Sequence, residues 1–216
     1  MDIVLIACSQ RKQEGGVPGY APSKQLTQGL KPGSFEKLLN LRSQIVKGCE
    51  KSFPKSPDVG IPGVQMNAQY LPAYRRYTGI VYEVGRVQEL YPNQSHIRLV
   101  IISALYGLLD GDDLIQEYNL KMDDKVSGQR LYTWWKHHKL VDIVEEYILS
   151  CKPVMVHDLL PINYLKALHP WPPESIRHLW KPLDCSGLGQ GSSYRRGEYL
   201  GKLLDCCNLN SQANDR

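Results

Sequence analysis

Two short apolar runs, each followed at once by polar residues, constrain the fold of this chain most. The first spans residues 2–8, and the second spans residues 98–103 and reads Arg-Leu-Val-Ile-Ile-Ser. Runs of this length are typical of strands that are buried on both faces of a sheet. Such strands deliver the polar residues that follow them to the carboxyl edge of an α/β sheet, where ligands bind.

Helical spacing of apolar residues alternates with further strand-like segments along the chain. It predicts helices at 35–50, 72–90 (interrupted near Gly79 and Gly85), 129–147 as the longest, 162–168 and 192–205, with strands at 153–156 and 175–181. Residues 9–34 are rich in Gly, Pro and Gln and indicate a long loop. We therefore predict one α/β domain over residues 1–207, with a mixed, largely buried sheet flanked by helices, and a frayed polar tail over 208–216.

Composition narrows the class of protein without fixing its function. No apolar run is long enough to span a bilayer. The six cysteines lack the spacing of a metal site, so we expect reduced thiols, no metal, no cofactor and a cytoplasmic location. A net charge of +4 neither requires nor excludes a polyanionic partner.

Three residues at the predicted strand ends are candidates for catalysis. Cys8 ends the first strand close to Lys12, where positive charge favours a thiolate nucleophile; the alternative is a small apolar residue in the core. Ser103 and Tyr106 end the second strand before Gly107, and either contact a ligand or form a packed turn. We expect Cys8, Ser103 and Tyr106 to lie within one pocket.

Several basic and aromatic residues are candidates for contacts with nucleic-acid phosphates and bases. Tyr118, Asn119 and Lys121 alternate with apolar neighbours, which predicts polar groups on one face of a strand, either as a binding face or as a solvated edge. The pairs at residues 75–76 and 195–196 are each two arginines beside a tyrosine. They either hold flexible nucleic acid or line exposed helix faces. The remaining candidates are Ser9, Arg11, Lys12, Arg75, Arg76, Arg195 and Arg196.

Five segments between residues 77 and 168 resemble, in order, the motifs of the YaaA family, also called peroxide stress resistance proteins. Residues 102–109 (Ile-Ser-Ala-Leu-Tyr-Gly-Leu-Leu) are similar to the family pattern Leu-Ser-Gly-Leu-Tyr-Gly-x-Leu, and residues 115–122 to Pro-Tyr-x-Leu-x-Met. Residues 77–82, 130–135 and 154–166 resemble three further family elements. The chain departs from the pattern at Ile80, where the family has Asp, and at Pro161 and Asn163, where it has Ser and Glu.

The amino end, Cys8-Ser9-Gln10-Arg11-Lys12, is similar instead to related uncharacterised proteins that carry Cys-Ser-x-Arg-Lys after a strand. The resemblance implies a function on DNA in one of two ways. Family members are associated with limiting oxidative damage to DNA, and a relative occurs in gene clusters that insert 7-deazaguanine bases into DNA. The chain is accordingly predicted to be a DNA-binding protein, with weak to moderate affinity. Two alternatives stay open: an enzyme that hydrates a nitrile or cleaves an N-glycosidic bond on a nucleobase, and a stress protein acting through other partners.

Overall fold

A five-stranded sheet forms the centre of the molecule. The computed structural model of the chain describes residues 1–19, 24–49, 56–61 and 68–212. The strands are β1 (Asp2–Ala7), β2 (Val17–Pro18), β3 (Gln69–Pro72), β4 (Ile97–Ser103), β5 (Gly107–Asp110), β6 (Leu114–Ile115), β7 (Lys125–Val126), β8 (Gln129–Arg130), β9 (Val156–Asp158) and β10 (Trp180–Pro182). The helices are α1 (Lys24–Gly29), α2 (Pro32–Gly48), α3 (Ala73–Arg76), α4 (Ile80–Val84), α5 (Val87–Leu90), α6 (Leu131–His137), α7 (Leu140–Ser150), α8 (Ile162–Ala167) and α9 (Ser192–Gln212).

The central sheet has the strand order β10-β9-β1-β4-β5. Four of these strands are parallel, and β5 pairs antiparallel with β4 at one edge. Strand β1 lies between β4 and β9. The next strand of this sheet along the chain, β4, pairs with β1 on one side, and the later strand β9 pairs with it on the other. A crevice therefore opens beyond the carboxyl ends of β1 and β9, which is where ligands bind in open α/β sheets.

The apolar pattern of each element explains where it packs. Four consecutive residues of β1, Ile3 to Ile6, have no exposed surface, as expected for a central strand covered on both faces. Helix α2 begins with Pro32, which is favoured in a first turn, and buries Leu38, Leu41 and Ile45 along one face. The sheet and its flanking helices share one hydrophobic core. The predicted fold class, a mixed α/β fold with a mixed sheet flanked by helices, is confirmed.

Several predicted element boundaries are wrong for identifiable reasons. The predicted helix 129–147 is two helices, because Lys139 adopts a left-handed backbone conformation between α6 and α7. The longest described helix is α9, which continues beyond Asp205 to Gln212, so residues 208–212 are helical. Of the predicted strand 175–181, the first part belongs to the 3₁₀ helix Glu174–Leu179, and only residues 180–181 are strand, in β10.

Two further predictions of local structure also fail. Residues 118–121 form no strand, and Tyr118 is buried while Asn119 and Lys121 are exposed. The predicted loop over residues 9–34 contains β2 and α1, with residues 20–23 outside the described range. Within the described ranges, no helix is long and apolar enough to cross a membrane.

Candidate functional site

A cavity of about 290 Å³ lies in the crevice beyond β1 and β9. Its position is the one that the strand order predicts for a ligand site. Its walls are residues 7–10 after β1, residues 79–82 at the start of α4, Leu159 and Pro161 after β9, Tyr164 of α8, and Ser192, Ser193 and Arg196 of α9. The cavity is thus built from segments that are far apart in the sequence and meet only at the sheet edge.

Cys8 and Tyr164 form the part of the wall where a nucleophile is available. The Cys8 amide donates a 2.9 Å hydrogen bond to the Ile102 carbonyl, which fixes the thiol at the end of β1. The Cys8 Sγ lies 3.1 Å from the Tyr164 hydroxyl. Burial raises the pKa of Tyr164 well above its usual value, and the neighbouring thiol adds to the shift. Tyr164 therefore stays protonated, and its hydroxyl can donate to a Cys8 thiolate.

Arg196 is the positively charged residue of the cavity wall. It follows Ser192 and Ser193, which lie at the start of α9 and also line the cavity. It interacts electrostatically with Asp158 at the end of β9. The Asp158 carboxylate is occupied: it accepts hydrogen bonds of 2.9 Å each from the Leu160 amide and from two tryptophan indoles, those of Trp171 and Trp180.

Lys12 shapes the loop next to the cavity and does not line it. Its Nζ donates to the carbonyls of Ser9 (2.9 Å) and Gln10 (3.3 Å), and it lies 4.1 Å from the ring centroid of Tyr118. Burial lowers the pKa of Lys12, while Cys8 and Glu117 oppose the shift. Through these two hydrogen bonds Lys12 holds residues 9–10 in place, and its contact with a phosphate stays a prediction.

Gly79 allows the Ser9 loop to approach the start of α4. A Cβ at position 79 would lie 2.3 Å from the Ser9 Oγ, so a larger residue would push the two walls apart. Ser9 lines the cavity as well, and its Oγ accepts a 3.1 Å hydrogen bond from the Arg11 amide.

The end of β4 is closed, in contrast to the end of β1. Ser103 has no exposed surface; its Oγ lies 2.8 Å from the Tyr118 hydroxyl and accepts a 3.0 Å hydrogen bond from the Tyr106 amide. The Tyr77 hydroxyl lies 2.8 Å from that of Tyr118 and completes the network. Ser103 is therefore fully occupied within the protein.

Tyr106 is not part of the cavity wall. Its hydroxyl donates a 2.6 Å hydrogen bond to the Asp58 Oδ2 and accepts one of 3.2 Å from the Gln116 amide. The expectation of a single pocket for Cys8, Ser103 and Tyr106 is wrong. All three lie at the ends of β1 and β4 at the same edge of the sheet, but of the three only Cys8 lines the cavity, and the side chains of Ser103 and Tyr106 are hydrogen-bonded within the protein.

The remaining predicted residues divide into exposed and buried groups. Arg76 is 1% exposed and donates to the carbonyls of Gln13, Gln69 and Ile115, so it is unavailable to a phosphate. Tyr118 is likewise buried in the Ser103 network. Arg11 forms an exposed ion pair with Glu83. The side chains that are free to meet a polyanion at the surface are those of Arg75, Asn119, Lys121 and Arg195.

Sequence reasoning did not assign roles to Tyr164, Ser192 or Ser193. Tyr164 lies within the motif at 154–166, but nothing in the local pattern places it beside Cys8, which is 156 residues away. The serines are the first two residues of the predicted helix 192–205, and serine at a helix start is a recognisable signal. Among the described residues, no cluster of three or more His, Cys, Asp or Glu side chains is arranged to hold a metal ion.

The fold and the cavity define the class: an α/β protein with a ligand cavity at the switch point of its sheet. The family model described as Peroxide stress protein YaaA matches residues 20–182, and the chain belongs to this family. The resemblance seen in the motifs is thereby confirmed. Two walls of the cavity, residues 8–10 and 192–196, lie outside the matched range.

Bacterial proteins named UPF0246 are similar to this chain. It is 30% identical to that of Shewanella oneidensis over 152 residues, covering 68% of this chain and 57% of the relative. It is 32% identical to that of Polynucleobacter necessarius over 122 residues, with 53% and 42% covered. The protein of Legionella pneumophila strain Philadelphia 1 is 29% identical over 154 residues, with 67% and 58% covered. The chain thus spans less than two thirds of the length of these relatives.

Proposed function

We propose that this chain is a nucleic-acid-binding member of the YaaA family that acts on DNA, either in protection under peroxide stress or in base modification. The observation that carries the proposal is the cavity at the β1–β9 crevice. Its volume of about 290 Å³ lies at the small end of ligand pockets, so it can receive a single nucleotide but not a duplex. Arg195, adjacent to the cavity residue Arg196, is exposed and available to the backbone of a bound strand.

The binding test is an anisotropy titration with single-stranded and duplex DNA over a range of salt concentrations. Contacts with phosphates predict affinity that falls with salt, with a slope of about −0.7 to −0.9 per phosphate neutralised. The variants Arg75→Ala and Arg195→Ala should each reduce the magnitude of that slope by up to roughly one contact.

A matched control comes from an arginine in another part of the molecule. Arg177 is exposed, pairs with Glu174 and does not line the cavity, so Arg177→Ala should leave the slope unchanged. Absence of binding at low salt by the folded protein would refute the proposal.

A second candidate function is catalysis on a nucleobase, and the contact between Cys8 and Tyr164 favours it. A Cys8 thiolate could add to a nitrile carbon while the nitrile nitrogen takes up a proton, which gives a thioimidate. Water then adds to that carbon and expels the thiol, which leaves an amide. The 3.1 Å contact places a proton donor next to the sulfur.

This second candidate is tested by incubating the protein with DNA that contains a nitrile-bearing 7-deazaguanine and analysing the nucleosides by mass spectrometry. A gain of one water in the modified base that is lost in both Cys8→Ala and Cys8→Ser would support catalysis. Turnover that persists in Cys8→Ala would exclude Cys8 as the nucleophile, and the absence of any turnover would leave the binding function alone.

A further inference from the structure

The cavity wall carries one charged side chain and, close to it in sequence, the hydroxyls of Ser192 and Ser193. Arg196 is the only charged side chain among the described residues of its wall. Within the described part of the chain, its guanidinium makes no hydrogen bond or ion pair. An arginine that lines a cavity and keeps its donors available favours an anion, and phosphate matches its fork of donors best.

No carboxylate is among the described residues of the wall. Asp158 interacts electrostatically with Arg196, but it is 4% exposed and already accepts three hydrogen bonds from the protein. Ser192 and Ser193 stand beside Arg196 and can donate hydroxyl protons to the same anion. The first amides of the 21-residue helix α9 lie at this end too, and they add favourable partial charge.

Most of the rest of the wall is apolar or aromatic, and its polar members are Ser9 and Gln10. Ile80, Val81, Leu159 and Pro161 line it, together with the tyrosines Tyr82 and Tyr164. Apolar and aromatic walls with a few polar groups at one end suit a planar ring that carries an anionic group.

We infer that the cavity binds one nucleotide, with its phosphate on Arg196, Ser192 and Ser193 and its base along the apolar wall beside Cys8. This inference rests on the proposed nucleic-acid function and names the part of the nucleic acid that enters the cavity. Two sources supply the same chemistry: a free nucleoside monophosphate and the 5′-phosphorylated end of a strand.

Calorimetric titration of the full chain separates the two sources. The ligands are deoxynucleoside 5′-monophosphates, the matching nucleosides, inorganic phosphate, and one oligonucleotide with either a 5′-phosphate or a 5′-hydroxyl. We expect the monophosphates to bind at least tenfold more tightly than either nucleoside or inorganic phosphate, because neither fragment fills both halves of the cavity. Tenfold corresponds to about 1.4 kcal/mol.

Three variants test the assignment of the walls. Arg196→Gln should weaken nucleotide binding at least tenfold, and Ile80→Asp, which adds a carboxylate to the wall, should do the same. The control Lys202→Gln removes a charge from an exposed position on the same helix and should change affinity less than twofold. Thermal unfolding of each variant verifies that the fold is retained.

The outcomes distinguish this inference from the proposed function. Loss of nucleotide binding in Arg196→Gln and Ile80→Asp, but not in Lys202→Gln, supports the inference. Tighter binding of the 5′-phosphorylated strand than of the free nucleotide identifies the strand end as the source; the reverse identifies the free nucleotide. If DNA binds equally well with either 5′ end and Arg196→Gln has no effect, the inference is overturned while the DNA-binding proposal stands. If neither DNA nor nucleotides bind, both fail.

Discussion

The ends of β1 and β4 are neighbours at the same edge of the sheet, yet one is open and the other is closed. Cys8, after β1, faces a cavity, whereas Ser103, at the end of β4, has no exposed surface and is held by tyrosine hydroxyls. Both were singled out from the sequence by the same argument, that polar residues follow a buried strand. That argument identifies the edge, but it does not identify which strand end at that edge is accessible.

The direction of the chain after each strand explains the difference. Strand β4 turns directly into β5, which pairs back along it from Ser103 opposite Gly107. Gly107 has a φ of 68°, and a Cβ there would lie 2.7 Å from the Trp135 ring, so the turn packs tightly beneath α6. After β1 the chain leads away from β9, and the space between their ends stays open. The comparison teaches that the connection, as much as the strand, determines a site.

The largest expected effect on stability comes from a comparison of two adjacent arginines, the buried Arg76 and the exposed Arg75. Arg76→Ala removes a buried guanidinium and leaves the carbonyls of Gln13, Gln69 and Ile115 without a partner. We expect a loss of about 3 kcal/mol or more in the free energy of unfolding, measured by urea denaturation. Arg75→Ala is the matched control at an exposed position, with an expected change within about 0.5 kcal/mol. Equal effects would show that Arg76 is not buried as described.

The next effect contrasts two serines. Ser103→Ala leaves the Tyr106 amide and the Tyr118 hydroxyl short of a buried partner, which should lower the free energy of unfolding by about 1–3 kcal/mol. Ser193→Ala, in the cavity wall, should change it by less than about 0.5 kcal/mol, because Ser193 is only partly buried and lines an open cavity. A destabilisation by Ser193→Ala that matches Ser103→Ala would remove the distinction between an open and a closed strand end.

The sequence predicts the layout of the fold better than the contacts of individual side chains. Buried runs and helical spacing were sufficient for the class of fold, since they depend on local periodicity. The burial of Arg76 and Tyr118 was not predictable, because the groups that pair with them, such as the Ile115 carbonyl and the Ser103 hydroxyl, are distant in sequence, and an arginine without such partners is usually exposed. Tyr164 was missed for the same reason: its contact with Cys8 exists only after β1, β9 and α8 have come together.

Alkaline pH should act on the closed side through its tyrosines. Burial raises the pKa of Tyr77, Tyr106 and Tyr118 well above the usual value near 10. Above pH 10 the folded state therefore retains protons that the unfolded state releases. The contribution of these tyrosines to the free energy of unfolding is fully present below pH 10 and is lost as the pH rises above it. Lys12 acts in the opposite direction, because its lowered pKa makes stability rise with pH below 10.5.

We expect the free energy of unfolding to fall with pH above 10, by up to about 1.4 kcal/mol per pH unit for each shifted tyrosine. Tyr118→Phe should make the fall shallower by the contribution of one proton. Urea denaturation at a series of pH values from 9 to 11 measures the slope. An unchanged slope in Tyr118→Phe would mean that this hydroxyl ionises equally in the folded and unfolded states.

The smallest expected effect on stability, and the most informative for chemistry, concerns Cys8. Because the thiol is only half-buried and faces a cavity, Cys8→Ala should cost about 1 kcal/mol or less in the free energy of unfolding.

Access through the cavity should let iodoacetamide alkylate Cys8 faster than Cys151, a half-buried cysteine that lies outside the cavity wall. Tyr164→Phe should slow the alkylation of Cys8, since the thiolate loses its hydrogen-bond donor at 3.1 Å, and should leave the rate at Cys151 unchanged. Mass spectrometry of the labelled peptides measures the rates at both cysteines in both proteins. If Cys8 is among the slowest cysteines to react, the thiol is a packing residue at an open strand end. The catalytic candidate would then be abandoned, and nucleotide binding would remain as the role of the cavity.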